Sequence, residues 1–185
     1  VKMGMDVNGI NPVIVGDSPE WPGNNATESE MNAYFEAKNT FRQNNPGDYF
    51  RANCWSWRPL MAIMEMSGAL DCLPDTQAEH MNYNDGAGAR TKKQAKDMAS
   101  CVREWVIAHD WKWESILDLD NPERGEFYYE PNWGDSMVNE EGRFLSEEEA
   151  KDPSIPKRSA YRIYRPHVEE WVLFLENCGD GFEVW

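Results

Sequence analysis

The chain has 185 residues and a formal net charge of −15, with 12% aromatic and 28% charged residues. That length suits one domain with a substantial core, and the aromatic content describes a folded chain, not a disordered one. The acidity argues against nonspecific binding to nucleic acid. No apolar run reaches the roughly 20 residues that cross a bilayer, and the polar N-terminus shows no signal peptide, so a cytoplasmic protein without a membrane partner is expected.

Met3, Met5 and Val7 alternate with Gly4, Asp6 and Asn8. This period of two predicts a short strand, ended by a turn at Asn8-Gly9. Residues 11–23, rich in Pro, Gly and Asn, read as loop. Thr27 and Glu30 have capping-box spacing, and Met31, Tyr34, Phe35, Lys38 and Phe41 follow at helical spacing. A helix over about 28–44 is predicted, stopped by Asn45-Pro46-Gly47.

Residues 48–60 concentrate Tyr49, Phe50, Trp55 and Trp57 beside Arg51, Asn53 and Arg58. Ser56 reads as an N-cap, with Pro59 in the first helical turn. The residues before Pro59 then read as extended, with Trp55 and Trp57 on one face and Ser56 and Arg58 on the other. Leu60, Ile63, Met64 and Ser67 mark a helix face ending near Gly68, and 71–79 reads as a turn region around Pro74.

Residues 80–88 form a Gly-bearing loop in which Asn84-Asp85-Gly86 favours tight turns. Thr91 and Gln94 suggest a second capping box. A helix over 92–109 buries a stripe of Ala95, Met98, Ala99, Val102, Trp105, Val106 and His109, and Lys92, Lys96 and Arg103 make a basic ridge away from it. A strand is predicted at Glu126–Tyr129 and a short acidic helix after Ser146. A linker follows over 152–156, then an extended segment at 161–165. Arg165-Pro166 opens a last helix, with Val168, Trp171, Val172 and Leu175 on its buried face. The Gly-rich stretch 177–181 ends it, and Phe182–Trp185 is a terminal strand able to pair with the first.

The predicted fold is α+β: three main helices packed on a small sheet that includes both termini. It forms one domain over 1–185, with an insertion at 13–46 carrying one helix and an acidic elaboration at 110–156. Residues 110–152 hold 14 acidic and four basic side chains, whereas 90–103 and 157–165 are net positive. An acidic face of this kind either keeps a protein soluble or docks a basic protein. Cys54, Cys72, Cys101 and Cys178 are widely spaced and read as buried free thiols, not zinc ligands.

Two groups could carry chemistry. Arg51, Trp55, Trp57 and Arg58 either fill a core, with the Arg groups paired to Asp6 or Asp85, or line a pocket where a Trp ring stacks on a planar ligand and Arg holds a phosphate or carboxylate. His80, Asn84, Asp85 and Gly86 precede the 92–109 helix, whose N-terminal amides suit an anion, with Arg90, Lys92 and Lys93 adding charge. The loop lacks the Gly-Lys-Ser/Thr ending of a Walker motif, and GxSxG and HExxH are absent. Hydrolysis would need His80 with Asp6 or Asp85 and a nucleophile or metal. His109 and His167 read as structural. No catalytic residue, cofactor or metal is assigned.

Gly4-Met-Asp-Val7 with Gly9 and Pro12, Tyr49-Phe-Arg51, Trp55-Ser-Trp-Arg-Pro-Leu60, Asn84-Asp-Gly-Ala-Gly88 and the ending Phe174-Leu…Cys178-Gly-Asp-Gly-Phe-Glu-Val184 occur in this order. The ordered set, covering about half the chain in short islands, resembles a group of small uncharacterised proteins of tailed bacteriophages and bacteria. In that group the first strand runs almost directly into the Tyr-Phe-Arg segment, so the resemblance implies that 13–46 is inserted. It implies a core and a phage setting, not a mechanism. The expected function is a non-catalytic accessory protein that binds a small anionic or nucleotide-like ligand through Arg51, Trp55, Trp57, Arg58, His80, Asn84, Asp85 and Gly86. The alternatives are an acidic inhibitor of a basic host defence protein, in one form a nucleic-acid mimic, and a hydrolase using His80 and a carboxylate.

Overall fold

The computed structural model describes residues 4–108, 126–128 and 137–185. The alternating segment near the N-terminus is strand β1, Gly4–Gly9, at the centre of a three-stranded antiparallel sheet. Its neighbours are β2, Tyr49–Asn53, and β7, Phe182–Val184. The two ends of the chain therefore pair, and Asp6 and Trp185 extend the ladder by exchanging backbone hydrogen bonds of 2.7 and 2.8 Å. Val7 is fully buried, as the period-two pattern requires.

Asn8-Gly9 is not a turn. Gly9 stays in the strand opposite Phe182, and the chain turns two residues later at Asn11, with φ of 53°. The glycine serves close approach instead: a Cβ on Gly9 would lie 2.1 Å from the Gly47 carbonyl oxygen, and one on Gly47 would lie 2.0 Å from that of Asn177. The end of β1, the turn into β2 and the end of the last helix thus cross backbone to backbone.

Helix α1, Glu28–Asn44, begins with the predicted capping box, Thr27 N donating to Glu30 Oε2 at 2.7 Å and Glu30 N to Thr27 Oγ1 at 3.4 Å. It buries one side chain, Phe41. Helix α2, Cys54–Met66, departs from expectation in a consequential way. Its N-cap is Asn53, whose Oδ1 accepts from Ser56 N at 2.9 Å, so Ser56 lies inside the first turn and Pro59 inside the helix. The Asx cap outcompetes Ser56 because it follows directly on the extended β2. Trp55 and Trp57 are therefore not on one extended face. Two residues apart on a helix they diverge by about 200°, and Trp57 is 1% exposed while Trp55 is 37% exposed.

The predicted turn region around Pro74 contains a 3-10 turn at Leu70–Cys72 and a short helix, α3, Asp75–His80, in which the Gln77 and Ala78 amides donate to the Pro74 carbonyl. Helix α4, Lys92–Ala108, buries Ala95, Met98, Ala99, Val102, Trp105 and Val106. At its start the capping box is half formed: Gln94 N donates to Thr91 Oγ1, but the Gln94 side chain accepts from Arg90 N. Lys92, Lys96 and Arg103 are exposed as expected, and Arg103 pairs with Glu176.

Strand β3, Glu126–Tyr128, pairs with β6, Arg162–Tyr164. Strand β4, Met137–Val138, pairs with β5, Arg158–Ser159. Between β4 and β5 lies the acidic helix α5, Glu147–Lys151, capped by Ser146. The last helix, α6, Arg165–Asn177, packs along α4 and ends at Gly179, φ 73°. His109 and most of the acidic section 110–152 lie outside the described residues.

Helices α2, α4 and α6 share one core with the sheet. Its centre is aromatic. Trp171 meets Trp57 edge-on at 5.9 Å, stacks on Phe174 at 5.3 Å, and touches Phe50 and Phe182 at 4.9 and 5.4 Å. The Nε1 donors of Trp57 and Trp171 are buried without an acceptor among the described residues, which costs about 1–3 kcal/mol each. All four cysteines are free, but only Cys178 is buried; the expectation holds for it alone, and the other three are half-buried. Among the described residues no helix is long and apolar enough to cross a membrane.

Candidate functional site

A cleft of about 850 Å³ opens where the start of α2, the β4–α5 connection, β6 and the start of α6 meet. Helical geometry places Trp55 at its wall. The Trp55 ring packs on Tyr161 at 4.9 Å and on Phe144 at 5.4 Å and keeps about a third of its surface open. Arg58, one turn later on the same helix face, donates to the Tyr161 hydroxyl at 2.6 Å and lies over that ring. Tyr161 is thereby held from two directions, which fixes the Trp55 platform.

Cationic groups sit at the same cleft. Arg51 projects from β2 with a side chain 68% exposed, and its Nε is 3.7 Å from Asp6 Oδ1. Asp6 is directly opposite Arg51 across the ladder and also accepts from the Tyr49 hydroxyl. Burial, and then that bond to Asp6, push the Tyr49 phenol up to about 12. Arg162, on β6, has its guanidinium over the Tyr164 ring.

Helix α6 begins in the cleft wall, with Tyr164 as N-cap and no side-chain cap. The first-turn amides thus have no side-chain cap from the N-cap residue, while the carboxylates of Glu169 and Glu170 bond the side chains of Arg165 and His167. His167, in this first turn, stacks on Phe50 at 4.8 Å and has Nδ1 3.0 Å from Glu170 Oε2.

The eight residues singled out from the sequence do not converge. Arg51 and Trp55 line this cleft. Trp57 and Arg58 line a separate groove of about 740 Å³ with Met5, Cys54, Met61 and Tyr83, and Trp57 itself belongs to the core. His80, Asp85 and Gly86 border a depression of about 160 Å³ with Gln77 and Arg90. Asn84 is exposed and lines none of these three.

The Gly-bearing loop has a structural role that accounts for its composition. Gly86 N donates to Val184 O, Val184 N to Ala87 O and Phe182 N to Ala89 O, so the loop covers the outer edge of β7. Gly88 N is taken by Gln77 Oε1 and Arg90 N by Gln94 Oε1. The amides of Gly86, Gly88 and Arg90 before the helix thus already have acceptors within the protein, as does Gln94 N in its first turn. Arg90 pairs with Glu183 at 2.5 Å. His80 Nδ1 meets Asp85 Oδ2 at 2.6 Å on the surface, and this bond, first among its causes, holds the Asp85 carboxyl below the usual carboxylate range.

Sequence reasoning missed Phe144, Tyr161, Arg162 and His167. The alternation Arg162-Ile163-Tyr164 beside a basic stretch carried the signal for Arg162, since Ile163 is 1% exposed and must point inward. His167 and Phe144 carry no local signal. Among the described residues no three His, Cys, Asp or Glu side chains are grouped to hold a metal ion. The cleft offers a partly open Trp55 face, the guanidinium groups of Arg51 and Arg162 and a helix start without a side-chain cap, against one lining carboxylate, Glu170, an arrangement that can hold a planar, negatively charged molecule. No protein family, curated protein or solved structure matches this chain.

Proposed function

We propose that the protein is a non-catalytic binding protein whose cleft takes up a small anionic ligand with a planar face, a nucleotide in its simplest form. The observation that carries this reading is the half-open Trp55 ring beside Arg51 and the uncapped start of α6. The base would stack on Trp55, with Arg51 and the helix start holding phosphate. In the phage setting that the resemblance implies, such binding would sequester a host signalling nucleotide.

Calorimetry against a panel of mono-, di- and cyclic nucleotides tests it, with Trp55→Ala and Arg51→Ala as variants. Wild type is expected to bind at least one member, and each variant to weaken it about tenfold, the effect of losing a stacking or charge-assisted contact of about 1–3 kcal/mol. Binding of none, or equal binding by folded variants, overturns the reading. The hydrolase alternative gains a His80–Asp85 pair, but the pair lies apart from the cleft and is spent joining the loop to α3.

A further inference from the structure

Residues 13–46 fold back on themselves as a strapped unit. Asn45, 2% exposed, clamps its two ends: Nδ2 donates to Phe41 O and Val15 O, and Oδ1 accepts from Val15 N at 2.6 Å. Lys38 Nζ reaches Ser18 Oγ at 3.1 Å, and the Trp21 ring meets Tyr34 edge-on at 5.2 Å. The loop of 15–21 therefore runs back along α1 as an antiparallel strap.

A 17-residue helix ordinarily depends on packing of an amphipathic face, yet α1 buries Phe41 alone. Met31 and Tyr34 are half-buried and Phe35 is exposed. Trp21 is 54% and Phe35 52% exposed, and Tyr34 joins them into one aromatic cluster, 5.5 Å from Phe35. Val13, Ile14 and Val15 add exposed aliphatic surface at the other end of the strap.

Charge identifies what covers this surface. The unit has five acidic residues and two basic ones. Lys38 is engaged by Ser18 and the Phe41 ring, and Arg42 lies over the Tyr49 ring. Asp17, Glu20, Glu28 and Glu36 are exposed and enter no ion pair among the described residues. Glu28 and Phe35, seven residues apart, lie on the same side of α1. A second copy would bring like charges together on a chain already at −15, and anionic lipid or nucleic acid would be repelled equally. None of these residues lines the cleft.

We infer that the α1–strap unit is a docking surface for a basic protein partner, one that offers an apolar pocket for Trp21 and Phe35 ringed by Lys or Arg. The aromatic pair supplies the anchors and the four acids steer and orient the encounter. The surface is independent of the ligand cleft, so either proposal can fail without the other.

The test uses a synthetic amphipathic helical peptide of about 18 residues with Leu on one face and Lys on the other, followed by fluorescence anisotropy, with the Leu/Glu counterpart as control. The full chain is expected to bind the Leu/Lys peptide in a salt-sensitive way and to ignore Leu/Glu. Trp21→Ala with Phe35→Ala, both exposed and so compatible with folding, should weaken binding about tenfold or more. Neutralising Glu20, Glu28 and Glu36 to Gln should weaken it more than the same change at Glu140, Glu141 and Glu148. Equal loss from both charge sets, or unchanged binding without the aromatic pair, overturns the inference. So does sedimentation showing a dimer that the aromatic substitutions dissolve, because the surface would then be covered by a second copy.

Discussion

Trp55 and Trp57 provide a sharp test of the fold, because a helical start at Cys54 gives them opposite fates while an extended segment would give them the same one. Trp57→Ala removes a ring 1% exposed that contacts Trp171. Truncating a buried Trp costs about 3–5 kcal/mol. Its indole N–H has no acceptor among the described residues. Relief of about 1 kcal/mol, the low end of the penalty for an unmet donor, taken from the middle of the truncation range leaves about 3 kcal/mol. Trp55→Ala loses two ring contacts worth about 0.5–1.5 kcal/mol each from a ring partly in water, or about 1–2 kcal/mol. Trp57→Phe keeps most of the volume and deletes the orphan donor, so it should cost less than ~1.5 kcal/mol. Urea unfolding followed by far-ultraviolet circular dichroism measures all three. The order Trp57→Ala, Trp55→Ala, Trp57→Phe in decreasing loss is expected. Equal losses at 55 and 57 would refute the helical placement.

Gly47→Ala should destabilise by about 1–3 kcal/mol, lowering Tm about 2–4 °C per kcal/mol, since its Cβ would press on Asn177 backbone; an unchanged Tm contradicts that crossing. Tyr49 should titrate near 12, as read by phenolate absorbance, and Asp6→Asn should bring it down. Because the folded value is raised, this contribution to stability is full below the ordinary phenol value near 10 and is lost as pH rises toward 12. Glu149, held down to about 2 first by the Arg143 side chain and then by Ser146, works in the opposite sense: its contribution is present above the usual carboxylate range and is lost as pH falls toward 2. Carboxyl-carbon NMR should show the low midpoint, and Arg143→Gln should raise it; a Glu149 titrating normally in wild type would contradict the pairing.

The architecture was readable wherever periodicity and punctuation agreed. The span 28–44, the stripe of α4, the last helix with its Gly cap and the pairing of the two terminal strands all follow from local pattern. The start of α2 was misread because Asn53 and Ser56 are both good caps, and the choice between them depends on where β2 releases the chain, a tertiary matter. Gly9 was misread because a glycine needed for close approach looks in sequence like one needed for a turn. The site was harder. Arg51 and Trp55 were recognisable from their density, but Arg162 and His167 reach the cleft, and Tyr161 backs Trp55, only through the β6–α6 fold-back. The loop at 84–88 looked like an anion cradle because glycines that permit pairing along β7 resemble glycines that free amides for a ligand.

The central claim is that a ligand sits at Trp55 between β2, β6 and α6, not at the Asn84–Gly86 loop. Amide chemical-shift mapping with the tightest-binding nucleotide of the panel tests it most directly. The largest shifts are expected over residues 51–56 and 162–167. Shifts centred on 80–92, with the cleft residues unmoved, would contradict it.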